Sequence, residues 1–211
     1  MKGIIFDMDG VILDSETISD RTWFAAAKEF KLEINIDLIN ACRGTNKNDT
    51  IAIFKKYYGK DFDGDGFLAR TSELFHKIEV EEGIPLMPYA KEILEYLKPR
   101  YTLALASSTR GPTVERQLRS AGVIDFFKTR TTGEMVIHSK PNPEIYLMAC
   151  RSVNLEPSEC YAIEDSLNGI KSAYAAGLKP IMVIDKIQPT EEIKKTCAAV
   201  LDSLEGLKSI L

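Results

Sequence analysis

Histidine is almost missing from the 211 residues: only His76 and His138 occur, so chemistry that needs a histidine cluster has no material, and no G-x-S-x-G turn offers a Ser-His-Asp arrangement. The four cysteines, Cys42, Cys150, Cys160 and Cys197, form no C-x-x-C pair. Their scatter argues against a zinc site and a disulfide framework and predicts buried, reduced thiols. A basic excess is lacking too. Lys and Arg number 27 against 31 Asp and Glu, for a net charge of −4 spread along the chain. Nothing therefore suggests a broad grip on nucleic acid or an anionic membrane, and an anionic ligand must be held locally. No protein partner is implied. Only a three-residue apolar run, Ile4 to Phe6, precedes the first acid, too short for a signal-peptide core or a membrane span, which predicts a cytoplasmic location.

What is present reads as an ordinary globular chain, with 45% hydrophobic and 27% charged residues. Short apolar runs predict strands at 3–6, 102–106, 127–131 (the weakest), 160–163, 180–184 and 198–201. Helical patterns at 89–97, 112–121, 143–153, 167–176 and 190–196 alternate with them, punctuated by Pro at their starts and by Gly122 and Gly177 past their ends. This alternation predicts an α/β fold, a Rossmann-like, mostly parallel sheet covered on both faces. Residues 15–82 break the rhythm with helical patterns at 17–30, 37–42, 49–58 and 66–81 and no convincing strand. The expected organisation is a core of residues 1–14 and 83–211 carrying a helical insertion of residues 15–82. The insertion leaves the sheet at the C-terminal edge of the first strand, the edge where open α/β sheets bind ligands.

The strongest motif is Phe6-Asp7-Met8-Asp9-Gly10-Val11, directly after the first strand. The glycine lets the chain turn so that the two carboxylates converge, and converging carboxylates call for a cation or a proton. Asp7-Met8-Asp9-Gly10-Val11, followed by Asp14 and Ser15, resembles the first motif of the haloacid dehalogenase superfamily of phosphohydrolases. Three further stretches resemble that family's remaining motifs in order: the strand Thr102 to Ala106 ending in Ser107 and Ser108; Ser139-Lys140-Pro141-Asn142-Pro143; and Ile163-Glu164-Asp165-Ser166.

The resemblance implies a sheet core with a helical cap and a Mg²⁺-dependent reaction on a small phosphorylated metabolite. Asp7 is the implied nucleophile, forming an aspartyl phosphate, and Asp9 the general acid and base. Asp7, Asp9 through its backbone carbonyl, and Asp165 are the implied Mg²⁺ ligands, with Glu164 beside them as an alternate ligand or a supporting residue. Ser107 and the N–H groups after it would bind a phosphate oxygen, and Lys140 would offset the charge of Asp7 and the phosphoryl group. Ser108 and Arg110 are candidate substrate contacts, as are Arg43, Thr45 and Lys47 around the Arg43-Gly44-Thr45 turn, which resembles the family's cap loop. The second acid, Asp9, points to phosphoryl transfer rather than dehalogenation, since an alkoxide leaving group needs a proton.

The insertion resembles the subgroup that contains β-phosphoglucomutase and small sugar-phosphate phosphatases. The mutase's cap histidine corresponds to Ser19 here and its phosphate-gripping arginine falls near Lys47, so hydrolysis is favoured over isomerisation. A non-catalytic phospho-acceptor module would share an Asp, a hydroxyl and a Lys, but it needs neither Asp9 nor a substrate-sized cap. Two other features read as structural. Asp61-Phe62-Asp63-Gly64-Asp65 begins like a calcium loop but has Ser72 where the bidentate glutamate belongs, so it reads as an acidic turn between helices. Trp23 reads as cap packing rather than a stacking platform.

Overall fold

The structure, a computed structural model, describes residues 1–43 and 47–211. They fall into two compact units, Met1–Asp14 with Pro85–Leu211, and Ser15–Ile84.

In the first unit, β1 (Gly3–Phe6), β2 (Thr102–Ala106), β3 (Thr129–Thr131), β4 (Cys160–Glu164), β5 (Lys179–Val183) and β6 (Ala199–Leu201) form one sheet in the order β3-β2-β1-β4-β5-β6. Every pairing is parallel. Ile4, Ile5, Phe6, Leu103, Ala104, Leu105, Ala162, Ile163, Ile181 and Met182 are buried, as strands covered on both faces require. On one face Ile5, Ala104, Ala106 and Ala162 pack against Tyr146, Ala149, Cys150 and Ala173.

The second unit holds α1 (Ser15–Glu29), α2 (Ile36–Cys42), α3 (Lys47–Tyr58) and α4 (Gly64–Glu82). The helices α5 (Ala90–Leu97), α6 (Gly111–Ser120), α7 (Glu144–Ser152), α8 (Leu167–Ala175) and α9 (Glu191–Thr196) belong to the sheet unit. Helix ends obey local chemistry: Ser166 caps α8 by accepting from Gly169 N–H, Thr190 caps α9 by accepting from Ile193 N–H, and Gly122 and Gly177 take positive φ beyond α6 and α8.

Of the boundaries that differ from the sequence pattern, three have a local cause. Phe127 lies outside β3 because its ring turns into the core and meets Phe6 edge-on at 6.1 Å. Tyr89 precedes α5 in a left-handed conformation, φ 66, instead of opening the helix. The helical unit runs past Glu82 to Ile84, since Gly83 at φ 76 ends α4 and the chain then turns back. The two crossings lie side by side: Asp14 N–H donates to Pro85 O at 2.8 Å and Met87 N–H to Ile12 O at 2.9 Å.

The helical unit is built on rings. Phe54 meets Phe67 at 5.0 Å, Phe62 at 5.3 Å and Trp23 at 5.5 Å between centroids, so the half-buried Trp23 packs against the core of this unit. The acidic turn acts as a helix start, with the Asp63 carboxylate accepting from Gly66 N–H at 2.9 Å. Cys42, Cys150 and Cys160 are buried free thiols and Cys197 is half-buried. Among the described residues no helix is long and apolar enough to cross a membrane.

Candidate active site

The strand order reverses at β1, whose neighbours are β2 and β4, and the acid motifs sit at the C-terminal ends of these strands. Phe6 is in register with Leu105 of β2 and Ile163 of β4. The next residues, Asp7 just past β1 and Ala106 and Glu164 at the ends of β2 and β4, therefore lie level with one another at the sheet's C-terminal edge, and Asp7 N–H still donates to Ile163 O at 2.9 Å. Beyond Asp7 the chain bends sharply: Met8 O accepts from the N–H groups of both Ile12 (2.8 Å) and Leu13 (3.0 Å).

Gly10 makes this bend possible. Its φ is +73, and a Cβ there would lie 2.4 Å from Asp165 Oδ2. Gly10→Ala is therefore expected to destabilise the fold by at least about 1 kcal/mol through backbone strain alone, with a further cost as Asp165 is pushed aside. Urea denaturation checks this; a variant as stable as the parent would contradict the close approach.

Lys140 is the electrostatic centre. Its Nζ donates to Glu164 Oε1 at 2.6 Å, to Asp7 Oδ1 at 2.7 Å and to Ala106 O at 3.1 Å, which accounts for all three ammonium protons. The loop that delivers it is fixed at several points. Glu144 accepts from Ile137 and His138 N–H, Asn142 caps the start of α7 at Glu144 N–H, and Ser172 of α8 donates to Asn142 O.

Glu164 is fully buried. Its Oε1 accepts from Lys140 and from Tyr146 Oη (3.0 Å), and its Oε2 from Asp165 N–H (3.1 Å), Ser166 N–H (3.1 Å) and Ser166 Oγ (3.0 Å). Five donors on one carboxylate suit a supporting residue better than a metal ligand. Room for it exists because Gly169 has no Cβ; one placed there would lie 1.8 Å from Glu164 Oε1.

Burial dominates the electrostatics. It lifts the Asp7 carboxyl to about 7, with Lys140 pulling down and Glu164 and Asp9 pushing up. Burial would also discharge Lys140 and protonate Glu164, yet Asp7 and Glu164 hold the lysine charged and Lys140 holds the glutamate charged, so the lysine lies above its ordinary range and the glutamate below. Burial raises the Tyr146 phenol well above its usual value, which keeps it a neutral donor.

Asp7, Glu164 and Asp165 offer oxygens within 4.8 Å of one another, and the Lys140 ammonium is bonded to two of these three buried carboxylates, Asp7 and Glu164. Such an excess of negative charge in a buried site, made wholly of oxygen donors, fits a hard divalent cation such as Mg²⁺.

Ser107 is buried; its N–H extends the sheet by donating to Thr131 O, and its Oγ accepts from Thr109 N–H at 3.1 Å. Ser108 and Arg110 are exposed. Sequence reasoning overlooked Thr109, whose Oγ1 donates to Asp9 Oδ2 at 2.9 Å and so ties the second acid to the hydroxyl loop. It also overlooked Glu134, which accepts from Gly111 N–H at 2.7 Å, while Gly133 N–H donates to Thr109 O at 3.0 Å. The unbroken hydroxyl run Ser107-Ser108-Thr109 was the available signal for Thr109; no sequence signal marks Glu134 or Tyr146.

Arg43 and Lys47, two candidate contacts of the helical unit, are engaged within it. Arg43 is buried between Glu16 and Asp20, with ion pairs to both, and also donates from Nε to Asn40 Oδ1 at 2.9 Å. Lys47 pairs with Asp65 at 2.7 Å on the surface. Thr45 lies outside the described residues.

The chain is similar to several known proteins. The phosphorylated carbohydrates phosphatase of Thermotoga maritima is 27% identical over 213 residues, 100% of this chain and 98% of that protein. β-Phosphoglucomutase of Bacillus subtilis is 27% identical over 187 residues, 84% of this chain and 81% of the relative. Among solved structures, CbbY from Rhodobacter sphaeroides in complex with phosphate superposes with a TM-score of 0.78 at 26% identity, covering 98% of this chain and 96% of that one. The family model described as haloacid dehalogenase-like hydrolase matches residues 4–183, from β1 through β5. The chain belongs to the haloacid dehalogenase-like hydrolases.

Proposed function

We propose that this hydrolase is a Mg²⁺-dependent phosphatase of small phosphorylated metabolites, sugar phosphates foremost, acting through an aspartyl phosphate on Asp7. The observation that carries the reading is the Lys140 ammonium set on Asp7 Oδ1 beside a second acid, Asp9, that Thr109 holds in place. The names of the matched relatives support the substrate class.

In the first step a carboxylate oxygen of Asp7 attacks phosphorus, the P–O bond to the leaving group breaks, and Asp9 gives its proton to the departing alkoxide. In the second, Asp9 takes a proton from water, whose oxygen attacks the phosphoryl group and releases phosphate and free Asp7. Lys140 offsets the repulsion between the Asp7 carboxylate and the dianionic ester, and the Ser107 hydroxyl donates to a phosphoryl oxygen. Asp7, Asp165 and the Asp9 carbonyl would hold Mg²⁺, which when bound draws charge from the phosphoryl oxygens. The helical unit, as a cap, selects the substrate. Ser108 and Arg110 lie at the open end of the hydroxyl loop, where a substrate can reach them. Arg43 serves the cap's own charge network first.

The test incubates the protein with Mg²⁺ and a panel of sugar and other small phosphate esters, including β-glucose 1-phosphate with catalytic glucose 1,6-bisphosphate. Free phosphate and isomerised sugar phosphate are both assayed. Phosphate release from a subset of esters, abolished by EDTA and restored by Mg²⁺, is expected. Isomerisation without release would replace this reading with a mutase. A stable aspartyl phosphate without turnover would replace it with a phospho-acceptor module.

A further inference from the structure

Tyr146 is the largest of the fully buried side chains and is placed in the first turn of α7, close behind Lys140. It touches the lysine in two ways. Its ring lies under the ammonium, with Nζ 5.1 Å from the centroid, and its hydroxyl donates to the same Glu164 oxygen that holds the lysine, Oε1. A buried phenol needs a partner, and a core position alone would be met by phenylalanine. The hydroxyl's effect is on charge. A second donor on Oε1 draws electron density from it and weakens its pull on Lys140. Glu164 Oε2 is already occupied by three donors, so Glu164 cannot turn its other oxygen to the lysine. The ammonium is left shared almost evenly between Glu164 Oε1 at 2.6 Å and Asp7 Oδ1 at 2.7 Å.

We infer that Tyr146 is a positioning residue that sets how the Lys140 ammonium is divided between Glu164 and Asp7. Without the hydroxyl, Oε1 keeps one fewer donor and draws Lys140 away from Asp7, which loses cationic support as a dianionic ester approaches. Being fully buried, Tyr146 does not touch substrate, so the effect falls on turnover and not on binding. The kinetic consequence rests on the proposed role of Asp7 as nucleophile; the division of the ammonium does not.

The test compares the parent protein with Tyr146→Phe, and with Tyr174→Phe on the exposed side of α8 as a control. Kinetics are measured on the ester that the parent hydrolyses fastest. In parallel, lysine-¹⁵N protein without metal gives the Lys140 ¹⁵Nζ resonance, assigned by its loss in Lys140→Met. Tyr146→Phe is expected to lower kcat about tenfold, the scale of one lost hydrogen bond at a charged group, with KM within about twofold. The Lys140 resonance is expected to move and its protons to exchange faster, while Tyr174→Phe changes neither. Site-specific 3-fluorotyrosine at position 146, which keeps the hydroxyl and makes it a stronger donor, should move the resonance the opposite way and removes any doubt about folding. An unmoved Lys140 resonance in both variants overturns the inference, as does a normal kcat in Tyr146→Phe. If the parent hydrolyses no ester, the proposed function fails, and the resonance still decides this point.

Discussion

Asp7→Asn is expected to lower phosphate release by at least about 10³-fold while leaving the protein folded and melting no lower than the parent in EDTA. The two halves of this expectation come from different properties of one side chain. Asparagine keeps the shape of Asp7 and an acceptor for Lys140, whose bond to Asp7 Oδ1 is 2.7 Å. Its amide oxygen is a poor nucleophile because the carbonyl electrons are shared with nitrogen, so the covalent step stops. Stability behaves otherwise. The Asp7 carboxyl is lifted to about 7, chiefly by burial, which means its ionised form is costly beside Glu164 and Asp9. A neutral isostere removes that cost, and Lys140 retains Glu164 as counter-ion. Active sites commonly trade stability for function in this way. Phosphate release and thermal melting on the same preparation check both halves. Appreciable turnover would overturn the nucleophile assignment, and a large fall in melting temperature would show that Asp7 is needed for the fold.

The elements of this fold were legible because their signals are local. Ile4-Ile5-Phe6 and Ile181-Met182-Val183 are apolar runs of strand length, and Gly122 and Gly177 stop helices where a positive φ is needed. The order of the strands was not legible, since periodicity marks an element without naming its neighbour. The short β3 was the hardest to bound, because Phe127 looks like a strand residue and instead packs against Phe6.

At the site, Asp7, Asp9, Ser107, Lys140, Glu164 and Asp165 could be proposed because their motifs are contiguous stretches. Tyr146 and Glu134 act through contacts between distant segments, Tyr146 on Glu164 and Glu134 on Gly111, and no spacing announces such pairs. Arg43 shows the converse. A basic residue beside a glycine turn reads as a substrate contact, yet Glu16 and Asp20, 27 and 23 residues earlier in the chain, hold it within its own unit.

Lys140→Met is expected to cost about 3–5 kcal/mol of stability in EDTA, the scale for removing one partner from a buried ion pair. For a chain of this length that is a fall in melting temperature on the order of 10 °C. Methionine matches the length of the lysine stem, so packing is nearly kept and the loss is electrostatic. Glu164 retains four donors, from Tyr146, Asp165 and Ser166, but no cation, and Asp7 and Asp165 remain beside it.

Two further measurements separate charge from packing. The double variant Asp7→Asn with Lys140→Met should be more stable than Lys140→Met alone, because one uncompensated carboxylate has gone; simple addition of the two single effects underestimates this recovery. Saturating Mg²⁺ should raise the melting temperature of Lys140→Met, since Asp7 and Asp165 are the carboxylates proposed to hold the cation, and should do so less in the double variant. If Lys140→Met melts with the parent in EDTA, the three carboxylates are sharing protons instead of relying on the ammonium, and Lys140 is not the internal cation of the site.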